Sequence, residues 1–561
     1  MQALWQYRQL RQRAEQQYQS GELSTVSDVN RSRQSVSSGT PSEKKDDLED
    51  TSTPPASTSA PGSPASAHDQ QPDFPAAGNR NQTDPHQENI VVGFDGPDDP
   101  QNPQNWSYVK KWVVTCVIGS SAIVVSGSSG IDSEVSPQVM EAFGCSEEVA
   151  LLGTTLFMIA FGLGSLVSAP WSEVVGRNAV YITSLTIFGL FTMGAGLAPN
   201  LQTWLVCRFF AGFFGCPPLT NFGGTTADLW APIDRTYIFP VLSCCTFLGP
   251  FMAPMIADFI GPSPLVSWQW TEWLCLILDG ALVASIALFA PETYAPVILS
   301  WKARHLRKVT GLDIYRSEHE LVPITLWQRL LSSMHLPIKF LLTEPIVDCF
   351  SLYMVIIYII LFGFLPGYSF IFGKTGIYGL DQNHTGLCFI GMNVGFLLSL
   401  LTIWPVYSRF KRKTEEAKST ASGRVVPEER LVYAMIGAPW LPVSLFWMGW
   451  TSWAHVSLWS PIVASVLFGF SVMQVFISCY QYLIDAYESR AASALVGMTL
   501  SRYVISGPMV IVSVPMYENL GVHWALTLLG CLALLMAPVP FIFYRYGATI
   551  RKYSKSADSF E

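Results

Sequence analysis

A succession of long apolar runs constrains this chain more than any other feature of it. They fall, to within about three residues, at 112–131, 149–170, 179–198, 201–223, 236–260, 269–290, 346–372, 386–408, 431–451, 460–483, 494–517 and 523–545. Each can cross roughly 30 Å of hydrocarbon at about 1.5 Å rise per residue. In lipid every backbone amide and carbonyl needs a partner, so a run this long and continuous is expected to be a helix. The expected fold is an all-α polytopic membrane protein of about twelve transmembrane helices. Six lie in 112–290 and six in 346–546, on either side of a charged connection at 291–345. Composition agrees: 50% of the 561 residues are hydrophobic and 14% charged, against about a quarter charged in soluble domains.

Charge sets the expected orientation. The stretches 131–149, 198–201, 260–269, 451–460 and 517–523 contain no Lys or Arg, and Lys374 alone is basic in 372–386. The alternate loops hold Arg177, Arg235, Lys302, Arg307, Arg409 and Arg490. By the positive-inside rule both termini are cytoplasmic, in what is expected to be the plasma membrane. Residues 1–111 read as a cytoplasmic tail. Through residue 90 the tail is rich in Ser, Gln, Asp, Pro and Thr, and is expected to be disordered. Next comes a turn-rich pre-membrane segment ending at Trp106, Lys110, Lys111 and Trp112, suited to the interface. No signal peptide opens the chain, so the first span is expected to insert itself. The connection 291–345 is basic and amphipathic and predicts a short helix on the cytoplasmic face; 547–561 is a second cytoplasmic tail. Asn383 begins a sequon on the outer side and is a candidate glycosylation site, whereas Asn30, Asn81 and Asn105 fall in the tail. Eleven cysteines without a CxxC pair argue against a disulfide framework or a zinc site, and no metal site is expected.

Few ionisable residues interrupt the spans, and each is a candidate for function. Arg208 lies in WLVCRFFAGFFGCPPLTNFGGTTADLW (204–230), with no further charge before Asp228. A charge at mid-membrane costs roughly 2.5–3.5 kcal/mol, so Arg208 is expected to face a wet path as a working charge. The alternative is a structural arginine snorkelling to the headgroups. Pro217-Pro218 predicts a break in that helix. The loop APWSEVVGRN (169–178) carries Glu173, Gly176 and Arg177, which can form a charge lock suited to a gate, or simply a membrane-proximal turn. Asp279 sits mid-span and can carry a proton, or pair with a basic group elsewhere. Asp258 reads as a solvated span-end residue, and Asp348 as solvated at the cytoplasmic face. Asn393, Gln474, Tyr480, Tyr482 and Arg502 complete the polar groups.

From Asp99 to the C-terminus the chain resembles the major facilitator superfamily, and within it the twelve-span drug:proton antiporter branch of fungi. The residues that carry the likeness are DPQNPQNWS (99–107), APWSEVVGRN, RFFAGFFGCPPLTNFGGTTADLW (208–230), PETYAPVILSWKARHLRKVTG (291–311), PEERLVYAMIGAPWLPVSLFWMGWTS (427–452) and MYENLGVHWALTLLG (516–530). In the fifth span, FLGPFMAPMIADFI is similar to the antiporter Gly-Pro signature. Gly249-Pro250 is kept, while Ala253-Pro254 and Ala257-Asp258 replace later glycines. Ala169 and Asn178 depart from the loop motif, and Trp268-Gln269-Trp270 lacks that branch's arginine. Pro366 stands near where polyamine-type members carry a Glu, which weakens a polycation cargo. Arg502 resembles a family arginine.

The resemblance implies a secondary transporter, two halves rocking about a midplane site. It implies proton-coupled efflux of a hydrophobic or amphiphilic drug, toxin or secondary metabolite. Its expected partners are that small molecule, protons and the lipid bilayer; it is expected to be a monomer that binds no nucleic acid. No GxxxxGK[ST] motif occurs, so the proton gradient rather than a cofactor is the expected energy source. No nucleophile and base stand at catalytic spacing, which argues against an enzyme. Two rivals remain: a nutrient or polyamine transporter working as uptake carrier or facilitator, and a non-transporting membrane sensor.

Overall fold

A computed structural model describes residues 1–20, 89–321, 326–418, 425–487, 490–552 and 554. Among them, ten helical stretches are long and apolar enough to cross a membrane. The last, Ala491–Arg551, spans 61 residues. It holds two spans, separated where Gly521 takes a φ of +72° that a side chain rarely tolerates. The fourth expected span is also present but broken. Leu201–Gly215 gives way to Pro217–Thr220 and then Phe222–Leu229, because Pro217 and Pro218 cannot continue the ladder. Ser168 bridges the break, bonding Thr220 at 2.9 Å and accepting from Asn221 at 3.0 Å.

The elements that position the site are labelled in chain order. They are α1 (Gln2–Gln19), β1 (Ile90–Val91), α2 (Tyr108–Glu134), α3 (Glu147–Val175), α4 (Arg177–Gly196) and α5 (Leu201–Gly215). Next come α6 (Pro232–Ile260), α7 (Trp270–Phe289), α8 (Ala295–Thr310), β2 (Tyr315–Arg316) and α9 (Leu326–Thr343). The second half continues with α10 (Pro345–Phe364), α11 (Ile390–Ser399), α12 (Ile403–Lys418), α13 (Trp440–Thr451), α14 (Trp459–Tyr487), α15 (Ala491–Ser506) and α16 (Met509–Met536).

Within the first half, α2 and α6 cross with backbones nearly touching. A Cβ on Gly249 would sit 2.7 Å from the Gly127 amide, and one on Gly130 would sit 2.9 Å from the Pro250 carbonyl. Small residues permit such an approach in lipid, where packing rather than hydrophobicity joins helices. The halves meet along α3 with α15 and α6 with α11. On the second of these lines the Asn393 amide donates to the Phe251 carbonyl at 2.8 Å.

The face carrying the termini has structure that composition concealed. Residues 1–90 were expected to be disordered, yet residues 2–19 form α1, docked on α8. Leu10 and Ala14 are buried, and Tyr7 packs on Trp301 at 5.5 Å and His305 at 4.3 Å. Ala3, Tyr7, Leu10 and Ala14 fall three and four apart, an apolar stripe that Gln and Arg dilute to the eye. Nearby, β1 pairs in parallel with β2, a single short ladder among the described residues. Residues 21–88 of the expected disordered tail, and 553 and 555–561 of the second tail, lie outside the described residues. The expected helix in 291–345 is α8.

Candidate transport site

Between the halves lies a cavity of about 1270 Å³, counting its open mouth. Aromatic rings, among them Phe157, Phe222, Phe247, Tyr358, Phe476 and Tyr503, share its wall with aliphatic and hydroxyl side chains. Glu134 ends α2, Glu147 begins α3, and both line the cavity, which therefore reaches the face away from the termini. Toward the terminal face the halves are in contact. Tyr480 stacks on Phe222 and Phe239 at 6.3 and 5.9 Å. Beyond them Arg430 pairs with Asp485 at 2.5 Å and donates across the interface to Thr236 at 2.7 Å.

Two of the expected site residues line this cavity, Pro250 and Arg502. Arg502 is buried against four rings: Tyr358 and Tyr503 at 4.8 Å, Phe476 and Tyr480 at 5.2 Å. No carboxylate pairs with it among the described residues, and its Nε and Nη1 have no hydrogen-bond partner.

Arg208 does not line the cavity, contrary to its expected place on a central path. It is 0% exposed, which also excludes snorkelling. Its guanidinium lies 2.5 Å from Asp132 and 3.5 Å from Glu272, and donates to the Ser128 carbonyl at 2.6 Å. Helices α2, α5 and α7 thus meet in a buried group of one cation and two acids. Because a lone buried charge is costly, the surroundings that make Arg208 tolerable are these two acids. Asp132 and Glu272 went unremarked in the sequence because they stand at the ends of their spans, where carboxylates read as solvated.

Asp279 is buried on α7 with Oδ1 unpartnered and Oδ2 within 2.6 Å of where a Cβ of Gly189 would sit. It forms no ion pair among the described residues. Asp258 corrects another expectation: it is 1% exposed rather than solvated. Gln382 of the second half donates to Asp258 at 3.0 Å and to the Glu134 carbonyl at 2.9 Å. Asp348 is exposed, as expected. Asn383 is half-buried in the short helix Gln382–Leu387, and its sequon partner Thr385 is buried.

The loop Glu173–Gly176–Arg177 is drawn into a lock with partners the sequence did not disclose. Arg177 lies 3.3 Å from Asp228 and stacks on Tyr294 at 5.0 Å. The Glu292 carboxylate accepts from the amides of Arg177 at 2.9 Å and Asn178 at 3.2 Å. Gly176 makes room for it: at φ +107°, a Cβ there would meet the Glu292 Cδ at 2.9 Å. Burial pushes the Glu292 carboxyl above its usual range, and these amides pull it back. Glu173 is half-buried near Arg177, which attracts it without an ion pair closer than that to Asp228. Glu292 lay in view within PETYAP, but nothing in spacing alone points it at a loop more than a hundred residues earlier.

The model of the Major Facilitator Superfamily matches residues 117–508. The chain belongs to the major facilitator superfamily. It is 55% identical over 468 residues to the MFS-type transporter kojT of Aspergillus flavus, covering 83% of this chain and 82% of that one. It is 36% identical to the citrinin biosynthesis cluster MFS transporter mrr1 of Monascus ruber, covering 83% of this chain and 92% of that one. Among solved structures it is similar in fold to the proton:xylose symporter XylE, with a TM-score of 0.57 at 13% identity over 79% of this chain and 96% of that one. In this superfamily member the second half repeats the terminal-face lock: Arg409 pairs with Glu429 at 3.0 Å and Arg551 with Glu428 at 3.2 Å.

Proposed function

We propose that this transporter exports an organic, largely apolar small molecule of the secondary-metabolite kind, driven by protons moving inward across the plasma membrane. The observation that carries the reading is the aromatic cavity between the halves, open away from the termini and closed toward them. With the basic loops cytoplasmic, that is an outward-facing carrier. Closure of the mouth and release of the contacts of Arg430 with Thr236 and of Tyr480 with Phe222 and Phe239 would expose the same cavity to the cytosol. The citrinin-cluster relative supports a metabolite cargo.

The proton is assigned to the Arg208–Asp132–Glu272 group. One guanidinium faces two carboxylates there, so one proton brings the buried group to neutrality. Proton entry adds about 2.3 kcal/mol per 100 mV and about 1.4 kcal/mol per pH unit. The test uses purified protein in liposomes with an imposed pH gradient and a panel of apolar aromatic compounds. Uptake against the compound's own gradient that collapses with a protonophore is the expected result. Glu272→Gln is expected to keep exchange of compound for compound while losing dependence on the pH gradient. Transport indifferent to the gradient in the unmodified chain refutes proton coupling.

A further inference from the structure

Arg502 is harder to explain than any other ionisable group in the protein. Every other arginine buried to a similar degree has a carboxylate: Arg177 has Asp228, Arg208 has Asp132 and Glu272, Arg430 has Asp485. Arg502, 3% exposed, has aromatic faces and the phenol oxygens of Tyr480 and Tyr503 instead, and its Nε and Nη1 have no hydrogen-bond partner. Ring faces stabilise a cation but accept no conventional hydrogen bond, so the N–H groups on Nε and Nη1 of this desolvated guanidinium remain unsatisfied. This side chain forms part of the cavity wall. The charges in the cavity are segregated, with Arg502 in the wall and Glu134 and Glu147 at the mouth.

We propose that Arg502 is the anchor of an anion subsite, and that the cargo is an organic monoanion. Its carboxylate or enolate oxygens take the unmatched N–H groups of Arg502, and its apolar body lies against Phe157, Phe247 and Phe476. The geometry favours this class over neutral and cationic compounds for three reasons. A guanidinium offers a planar pair of donors that matches two oxygens held 2–3 bonds apart. An amine would meet the same fixed positive charge at Arg502, with which no carboxylate among the described residues pairs, the cavity's acids standing at the mouth. A neutral amide supplies one acceptor and leaves an N–H unpaired. The acids at the mouth act in the same direction, repelling the anion outward once it leaves Arg502. Charge also helps the overall movement, since a monoanion leaving a negative interior is favoured about fiftyfold per 100 mV.

This inference rests on the export reading for its cargo but not for its test. Binding of 2-naphthoate, its neutral counterpart 2-naphthamide and the cation 2-naphthylmethylamine is measured on the purified full chain by quenching of intrinsic tryptophan fluorescence. The expected order is naphthoate tightest, roughly tenfold or more ahead of naphthamide, with the amine weakest. Arg502→Gln is expected to bring naphthoate and naphthamide to within about twofold of each other, and Arg502→Lys to keep a preference for the anion. Should Arg502→Gln fail to fold, the order of the three probes on the unmodified chain still decides. Naphthamide equal to or tighter than naphthoate overturns the subsite, as does absence of naphthoate binding, or undiminished discrimination in Arg502→Gln. Cells that expel neutral dyes while the purified chain ignores naphthoate would sink the anion subsite and leave export standing. Cells that expel nothing, from a chain that discriminates as described, would do the reverse.

Discussion

The two halves each bury an arginine in a span, and the two are built for opposite ends. Arg208 is surrounded by acids and sealed within its own half, away from the cavity. Arg502 is surrounded by rings and set in the cavity wall. Each is an isolated cation within an apolar run, so sequence position treats them alike. Their neighbours distinguish them, because a cation that already holds carboxylates has little left to offer a cargo. One arginine is therefore suited to joining helices and holding a proton, and the other to meeting a ligand.

The largest expected effect tests that division directly. Arg208→Ala leaves Asp132 and Glu272 without their counter-charge in a site closed to water. Breaking a buried pair this way costs about 3–5 kcal/mol, so little of the variant should reach the cell surface. A working charge on a central path would lose efflux with normal surface expression; the geometry makes lost efflux in that variant a folding effect. Arg502→Ala strands no acid and should reach the surface at close to the unmodified level. Surface biotinylation of both variants is the measurement, and equal losses would break the comparison.

A second contrast concerns how rigidly the halves are built. Gly249→Ala forces a methyl against the Ile123 carbonyl and Gly127 amide, backbone atoms that cannot rotate away. Overpacking of this kind costs roughly 1–3 kcal/mol. In the second half, Gly363→Ala meets only the tips of Met509, at 3.1 Å, and Leu529, at 3.4 Å. Those ends can shift, and the gain in helix propensity is about 1 kcal/mol, so Gly363→Ala should be neutral or stabilising. Thermal unfolding of the purified variants separates the two; a melting point for Gly249→Ala at or above that of Gly363→Ala contradicts the rigid crossing.

The fold was legible because lipid leaves few solutions: apolar length, loops almost without Lys or Arg on one face and paired prolines specify spans and breaks without tertiary information. The helix break at Pro217-Pro218 and the helix in 291–345 were both foreseen on that basis. Partners were not legible, since Arg208 meets Asp132 and Glu272 through the folding of α2 and α7 onto α5. Glu292 reaches Arg177 for the same reason. Composition failed in the opposite direction at α1, where a narrow stripe of Ala3, Tyr7, Leu10 and Ala14 was outvoted by the polar residues around it. Asp258 was misread because an acid at the end of a span is solvated unless another segment covers it, and here Gln382 and Gly386 do so.

The smallest expected effect probes how each arginine depends on neutral neighbours. Ser128 supports Arg208 twice, through Oγ at 3.2 Å and through its carbonyl at 2.6 Å. Ser128→Ala removes only the longer bond, between a guanidinium still held by two acids and a carbonyl, so the cost should stay near 0.5–1.5 kcal/mol, roughly one ordinary hydrogen bond. Around Arg502, Tyr358→Phe deletes a hydroxyl but keeps the ring whose centre lies 4.8 Å from the guanidinium. If ring faces rather than hydroxyls hold that cation, naphthoate binding should change by less than about twofold. A larger loss would mean that the Tyr358 hydroxyl itself touches the bound anion, moving the subsite toward α10. An unfolding cost in Ser128→Ala approaching that of Arg208→Ala would mean that the serine, rather than the acids, is what Arg208 cannot do without.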